Sequence, residues 1–140
     1  MNVLRYKLLL IALLIVGCGT IEPEPEPEPI SCEGLTEVEL WGEYYNIATT
    51  TEIYLYNQEL TGSIPPEIGC LTNLTYLGLF YNQLTGGIPS EIGNLTNLTQ
   101  LNLRYNELSG EIPSEIGNLT NLTYLNLHQL YLSLLLSQSG

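Results

Sequence analysis

The chain has 140 residues, of which 44% are hydrophobic and 15 are acidic (all Glu), and its formal net charge is −12. That length accommodates one domain of ordinary size. Two of its three basic residues, Arg5 and Lys7, lie at the amino end, so from Cys18 onward 15 carboxylates stand against Arg104 alone, a net charge of −14. Such a balance excludes nucleic acid and anionic lipid as partners recruited through the protein's field.

In chain order, Arg5 and Lys7 precede an unbroken apolar run over residues 8–16, followed by the small residues Gly17, Cys18 and Gly19. A basic start, a short apolar core and small residues after it form an export signal, predicted over residues 1–17. The run falls short of the roughly 20 apolar residues that a spanning helix needs. Leu14-Ile15-Val16-Gly17-Cys18 resembles the lipobox of bacterial lipoproteins, which implies cleavage before Cys18 and a lipid anchor on its sulfur. Several acyl chains on one residue hold a membrane far better than one. Residues 18–30 contain Glu and Pro in strict alternation over 22–29. Proline at every second position prevents a helix and like charges extend the chain, so this stretch reads as a stiff tether.

Residues 31–49 keep the alternation Val38-x-Leu40, and Trp41, Tyr44 and Tyr45 read as an amino-terminal cap over an apolar core. From residue 50 the chain repeats every 24 residues: Leu71, Leu95 and Leu119; Gly62, Gly86 and Gly110; Pro65, Pro89 and Pro113; Ile68, Ile92 and Ile116. Two full units read LTNLTYLGLFYNQLTGGIPSEIGN from Leu71 and LTNLTQLNLRYNELSGEIPSEIGN from Leu95. Leu77-x-Leu79 and Leu101-x-Leu103 mark short strands with leucines inward. Asn82 and Asn106 follow, placed to satisfy backbone groups left open where the chain turns. Gly86 and Gly110 permit the next bend, and Ile-Pro is expected to end any ladder on that side, because proline has no N–H. A single unit cannot bury its apolar residues, whereas stacked units share one core. In the first copy Gln58 stands at the Asn slot, with Asn57 one place early, so an irregular ladder is expected there.

This spacing resembles the leucine-rich repeat family, in the subtype common in plant receptors, with the pattern LxxLxxLxLxxNxLxGxIPxxLGxL over residues 50–127. The resemblance implies a right-handed α/β-type solenoid with parallel strands on the concave face and an irregular or 3-10 convex side. Residues 128–140 break the pattern: Leu130 replaces the Asn, and residues 130–136 are strongly apolar. They read as an atypical end, either a cap or the mark of a truncated or frame-shifted longer repeat protein.

With Cys18 given to lipid, Cys32 and Cys70 remain, and export permits a disulfide between them. Family members often staple their caps in this way. Strand counting, however, puts Cys32 two strands from Cys70, at about 4.8 Å per strand, beyond the roughly 7 Å reach of a disulfide unless the cap folds over. Both states stay open at this point. No catalytic residues, cofactor or metal site are predicted. His128 has no evident partner, and Glu67, Glu91 and Glu115 recur with the repeat as a solvated row. The Asn-Leu-Thr sequons at Asn73, Asn94, Asn97, Asn118 and Asn121 read as repeat residues in a bacterial setting and as glycan acceptors in a eukaryotic one.

Strand alternation points Glu52, Tyr54 and Tyr56 outward, then Tyr76, Gly78 and Phe80, then Gln100, Asn102 and Arg104, then Tyr124, Asn126 and His128. The resemblance makes this concave face the expected contact surface for a protein or polysaccharide partner, with Tyr54, Tyr56, Tyr76, Phe80, Gln100, Asn102, Arg104, Tyr124 and Asn126 as candidate binding residues. The expected protein is a non-catalytic lipoprotein, anchored to a membrane through its lipid and sorted to an outer membrane or cell surface. The alternatives are a structural envelope lipoprotein and a fragment of a larger repeat receptor.

Overall fold

The computed structural model describes residues 30–128. The expected signal, Cys18, the residue 22–29 tether and the apolar 130–136 stretch lie outside them. Each 24-residue unit makes one coil: a three-residue strand, a turn held by Asn, a second short extended stretch and a 3-10 helix. The strands are β3 (Glu52–Tyr54), β5 (Tyr76–Gly78), β7 (Gln100–Asn102) and β8 (Tyr124–Asn126), and they form one parallel sheet in that order. Their register is an unbroken step of 24, pairing Ile53 with Leu77, Leu77 with Leu101 and Leu101 with Leu125. The opposite edge of the coils carries 3-10 helices at Pro66–Cys70, Ser90–Asn94 and Ser114–Asn118.

Between strand and 3-10 helix lies a second parallel ladder that the sequence reading did not anticipate. β4 (Thr61–Gly62) pairs with β6 (Gln83–Leu84), and the bonding continues into the next coil through Glu107 N–H to Leu84 O and Ser109 N–H to Gly86 O, both 2.8 Å. Ile-Pro was expected to end any ladder on this side. It does so only from Pro65, Pro89 and Pro113 onward, because the ladder's donors, Gln83 and Thr85 before Ile88 and Glu107 and Ser109 before Ile112, precede the Ile-Pro and keep their N–H groups.

The core is a stack of identical layers. Leu71, Leu74, Leu77, Leu79, Leu84, Ile92, Leu95, Leu98, Leu101, Leu103 and Leu108 are all fully buried, so adjoining units complete the burial that one could not. Asn82 and Asn106 lie inside this stack. Asn82 Nδ2 donates to Leu55 O (2.7 Å) and Leu79 O (2.9 Å), while its Oδ1 accepts from the N–H groups of Gln58 and Leu60. Asn106 repeats the pattern on Leu79 O, Leu103 O and Leu84 N–H. Each amide therefore secures its own turn and the preceding one. The expected irregularity at Gln58 is present: its side chain is exposed and donates to Tyr56 O, and Asn82 of the next coil supplies the turn's bonds instead. On the flank, Thr75, Thr99 and Thr123 donate Oγ–H to the carbonyl of the Thr one coil back, and Asn97 and Asn121 donate to Thr72 O and Thr96 O. Coils approach closely at the 3-10 edge, where a Cβ on Gly69 would meet Glu91 O at 2.6 Å.

The amino-terminal end is a β-hairpin, β1 (Glu37–Leu40) and β2 (Glu43–Asn46), antiparallel, with Trp41 (φ 49) and Gly42 (φ 88) at its turn. Two successive left-handed residues match the right-handed twist of the hairpin strands. Val38 and Leu40 are buried, and Trp41 and Tyr45 pack against the core. Tyr44 does not join them; it is exposed on the other face of the strand, with its hydroxyl on Glu39 Oε2 at 3.1 Å. β1 packs against the first 3-10 helix. That placement brings Cys32 to Cys70, and the two are disulfide-bonded with Cα atoms 5.5 Å apart. The strand-counting distance does not apply, because the hairpin lies over the end of the array instead of extending it by further coils.

Candidate functional site

The parallel sheet and the turns that follow its strands carry seven of the ten Phe, Trp and Tyr residues described, the other three lying on the hairpin. Pleating alternates core and surface residues, and the step of 24 puts equivalent side chains beside each other in rows. The first row is Glu52, Tyr76, Gln100 and Tyr124; the second is Tyr54, Gly78, Asn102 and Asn126. Beyond the strands, Tyr56, Phe80, Arg104 and His128 continue the period as a third row, linked by Asn57 N–H to Phe80 O, Tyr81 N–H to Arg104 O and Tyr105 N–H to His128 O.

The rows do not stay separate. Tyr76 bends over Gly78, where a Cβ would meet its hydroxyl at 2.7 Å, and stacks on Tyr54 with ring centroids 4.5 Å apart. Glycine at 78 is thus what lets the Tyr76 ring lie flat on the sheet, and it explains why Gly78 is buried rather than presented outward. Tyr54 in turn donates its hydroxyl proton to Glu52 Oε2 at 3.0 Å, and that carboxylate, with burial adding less, raises the phenol above its ordinary 10.0. In the third row, Tyr56 and Phe80 stack at 5.0 Å with planes 7° apart.

Sequence reasoning missed a fourth row. Tyr81 and Tyr105 occupy the turn after the strand in left-handed conformation (φ 57 and 55) and stack at 4.5 Å. The signal available was the repeated Tyr-Asn dipeptide at 81–82 and 105–106, whose Tyr was passed over in favour of the ladder Asn. Arg104 joins the third and fourth rows: its guanidinium carbon lies 5.3 Å from the Phe80 and Tyr81 centroids and 5.4 Å from that of Tyr105. Its Nε is buried with no hydrogen-bond partner, and three rings lie against this single Lys or Arg of residues 18–140.

The structure thus brings together Tyr54, Tyr56, Tyr76, Phe80 and Arg104. Tyr124 and Asn126 pair at the last strand, Nδ2 of Asn126 donating to the Tyr124 hydroxyl at 2.9 Å, and Gln100 is exposed in the first row. Asn102 is a correction: it is 8% exposed, and its Oδ1 accepts from Arg104 N–H, so it supports the strand end and offers little outward. Among the described residues there is no group of three or more His, Cys, Asp or Glu arranged to hold a metal, and no helix is long and apolar enough to cross a membrane.

Residues 72–110 match the family model described as Leucine Rich repeats (2 copies). No curated protein matches the chain. Among solved structures, the plant peptide hormone receptor RGFR1 in complex with RGF2 is 49% identical over 55% of this chain and 12% of its own, with a TM-score of 0.54. The LRR ectodomain of the receptor kinase SOBIR1 from Arabidopsis thaliana is 38% identical over 61% of this chain and 46% of its own, with a TM-score of 0.55. The chain therefore spans less than half the length of either.

Proposed function

We propose that this leucine-rich-repeat solenoid is a non-catalytic binding module that takes a protein or glycan partner on the aromatic face of its parallel sheet, and that it is exported and held to a membrane by a lipid on Cys18. The observation that carries the binding reading is the set of aromatic stacks tied together by Arg104. Rings that pack on one another across rigid strands present contact area without the entropy cost of ordering them on binding. Their cost to a free surface is also informative: Tyr54 and Tyr56 remain 56% and 50% exposed, and exposed clustered aromatics are more typical of interaction surfaces than of inert ones. The two neighbouring structures support the same reading, since one is a peptide hormone receptor in complex and the other a receptor kinase ectodomain.

The anchor rests on the sequence: the apolar run, Cys18 at its end, and a Glu-Pro tether to hold a small domain off a surface. Sorting to an outer membrane or cell surface belongs to this reading. Two measurements test it. Intact mass of the membrane-extracted protein is expected to show cleavage before Cys18 plus acyl chains, both lost in Cys18→Ser; an unmodified soluble chain would remove the anchor. Capture of a partner from the producing organism is expected to weaken with Tyr56→Ala or Phe80→Ala; capture unchanged by both would move the site off the sheet.

A further inference from the structure

The sheet face also constrains the charge and class of what it binds. Each stacked pair, Tyr54 on Tyr76, Tyr56 on Phe80 and Tyr81 on Tyr105, closes the ring faces between coils. What remains open on the stacks is the exposed part of Tyr54, Tyr56 and Tyr81 with their hydroxyls. The one cation on this face, Arg104, has its guanidinium carbon 5.3 to 5.4 Å from three ring centroids, so ring faces already engage it. The chain as a whole is strongly acidic, and on the sheet face Glu52 is exposed beside Tyr54. The Tyr54 hydroxyl, with its proton committed to Glu52, turns only acceptor lone pairs outward.

We propose that the sheet face takes a basic polypeptide segment, its Lys and Arg side chains meeting the phenol oxygens, the Glu52 carboxylate and the exposed rings of Tyr54, Tyr56 and Tyr81. The proposal rests on the sheet-face reading above and adds the partner's sign and class. An acidic polysaccharide or peptide meets an opposing field of net charge −14 from Cys18 onward, Arg104 included. A basic segment is steered in by the same field and then finds acceptors already oriented. Arg104 in this assignment is a positioning residue that braces the third and fourth rows and does not itself pair with the ligand.

The test uses the full chain and four probes: a synthetic peptide alternating Lys and Ser, its Gln and Glu counterparts of equal length, and a neutral β-glucan. The Lys peptide is expected to bind saturably and more weakly as salt rises, and the other three not to bind. Tyr56→Ala is expected to weaken it about tenfold, as for truncation of an interface anchor. Glu52→Gln is expected to weaken it severalfold, and Arg104→Gln, which keeps a planar side chain, less than Arg104→Ala. If the Gln peptide or the glucan binds as well as the Lys peptide and Tyr56→Ala removes that binding, the sheet face stands and the basic assignment is overturned. Lys-peptide binding that survives both Tyr56→Ala and Tyr81→Asn is unspecific attraction to an acidic surface, and it overturns the proposal together with the sheet-face reading. Far-ultraviolet circular dichroism of each variant separates loss of binding from loss of fold.

Discussion

Tyr81 and Tyr105, 24 residues apart, stack with centroids 4.5 Å apart and planes inclined by 9°, and both are held in left-handed backbone conformation. An L-residue with a bulky side chain pays about 1–2 kcal/mol for that conformation. The equivalent position of the first coil holds Asn57, with φ 52, a residue that tolerates it through local hydrogen bonding. Coils two and three therefore keep a ring where the turn alone would accept Asn. The ring's contribution must lie in what it stacks on.

Tyr81→Asn is accordingly expected to change unfolding free energy by no more than about 1 kcal/mol, relief of strain offsetting the lost stacking. The same variant is expected to weaken partner binding. Urea titration checks the first statement; a destabilisation above about 3 kcal/mol would mean that the ring is part of the fold and not of a binding surface.

Asn106→Ala is expected to be far more damaging. It leaves the carbonyl of Leu103 and the N–H of Leu84 without partners, and takes one of two donors from Leu79 O, at a position that is 5% exposed. Stranding several buried groups costs about 3–5 kcal/mol where one costs about 1–3. Asn126→Ala, on the half-buried last strand, is expected to cost less than about 1 kcal/mol. Equal losses for the two would contradict the two-coil role of the ladder amide.

The Cys32–Cys70 bond closes a separation of 38 residues, for which loop entropy gives about 4 kcal/mol of stabilisation. The double variant Cys32→Ser with Cys70→Ser is expected to lose about 2–4 kcal/mol and to loosen the hairpin. Trp41, the chain's single tryptophan and packed against the core, reports this directly through a red-shifted emission. Unchanged melting in reductant would show that the hairpin holds without the bond.

Three phenols titrate late. Tyr44 is raised above 10.0 chiefly by its hydrogen bond to Glu39, Tyr54 by its hydrogen bond to Glu52, and Tyr45 by burial. A raised folded-state value means that the contribution is complete below pH 10, where the phenol is protonated in both states, and is lost as pH rises through the folded-state value. Absorbance titration is expected to show these three phenols ionising above pH 10, with Glu52→Gln lowering Tyr54 towards its ordinary value. A titration unchanged in Glu52→Gln would remove the Tyr54–Glu52 bond as the cause.

The last described coil differs from the ones before it. Leu125 is 43% exposed and Ile112 54%, whereas Leu101 is fully buried and Ile88 is 8% exposed. Leu101→Ala is expected to cost about 2–5 kcal/mol and Leu125→Ala less than half as much. Equal costs, read by urea titration of the full chain, would mean that Leu125 is covered in solution.

The coil and its layers were legible in the sequence because they follow from a strict period: Leu77-x-Leu79 must face inward if Leu101-x-Leu103 does, and Gly86, in left-handed conformation (φ 73), permits the bend expected of it. Periodicity also put Tyr54, Tyr56, Tyr76, Phe80 and Arg104 on one face. It could not say what those side chains do once there. That Tyr76 lies down on Gly78, that Arg104 packs against three rings and that Asn102 is covered by its neighbours depend on side-chain torsions, which only neighbouring coils settle. Cys32 and Cys70 show the same limit on a larger scale: strand counting treats the end of the array as one more coil, and only the folded hairpin, closing over the exposed edge of the core, brings the two sulfurs within reach.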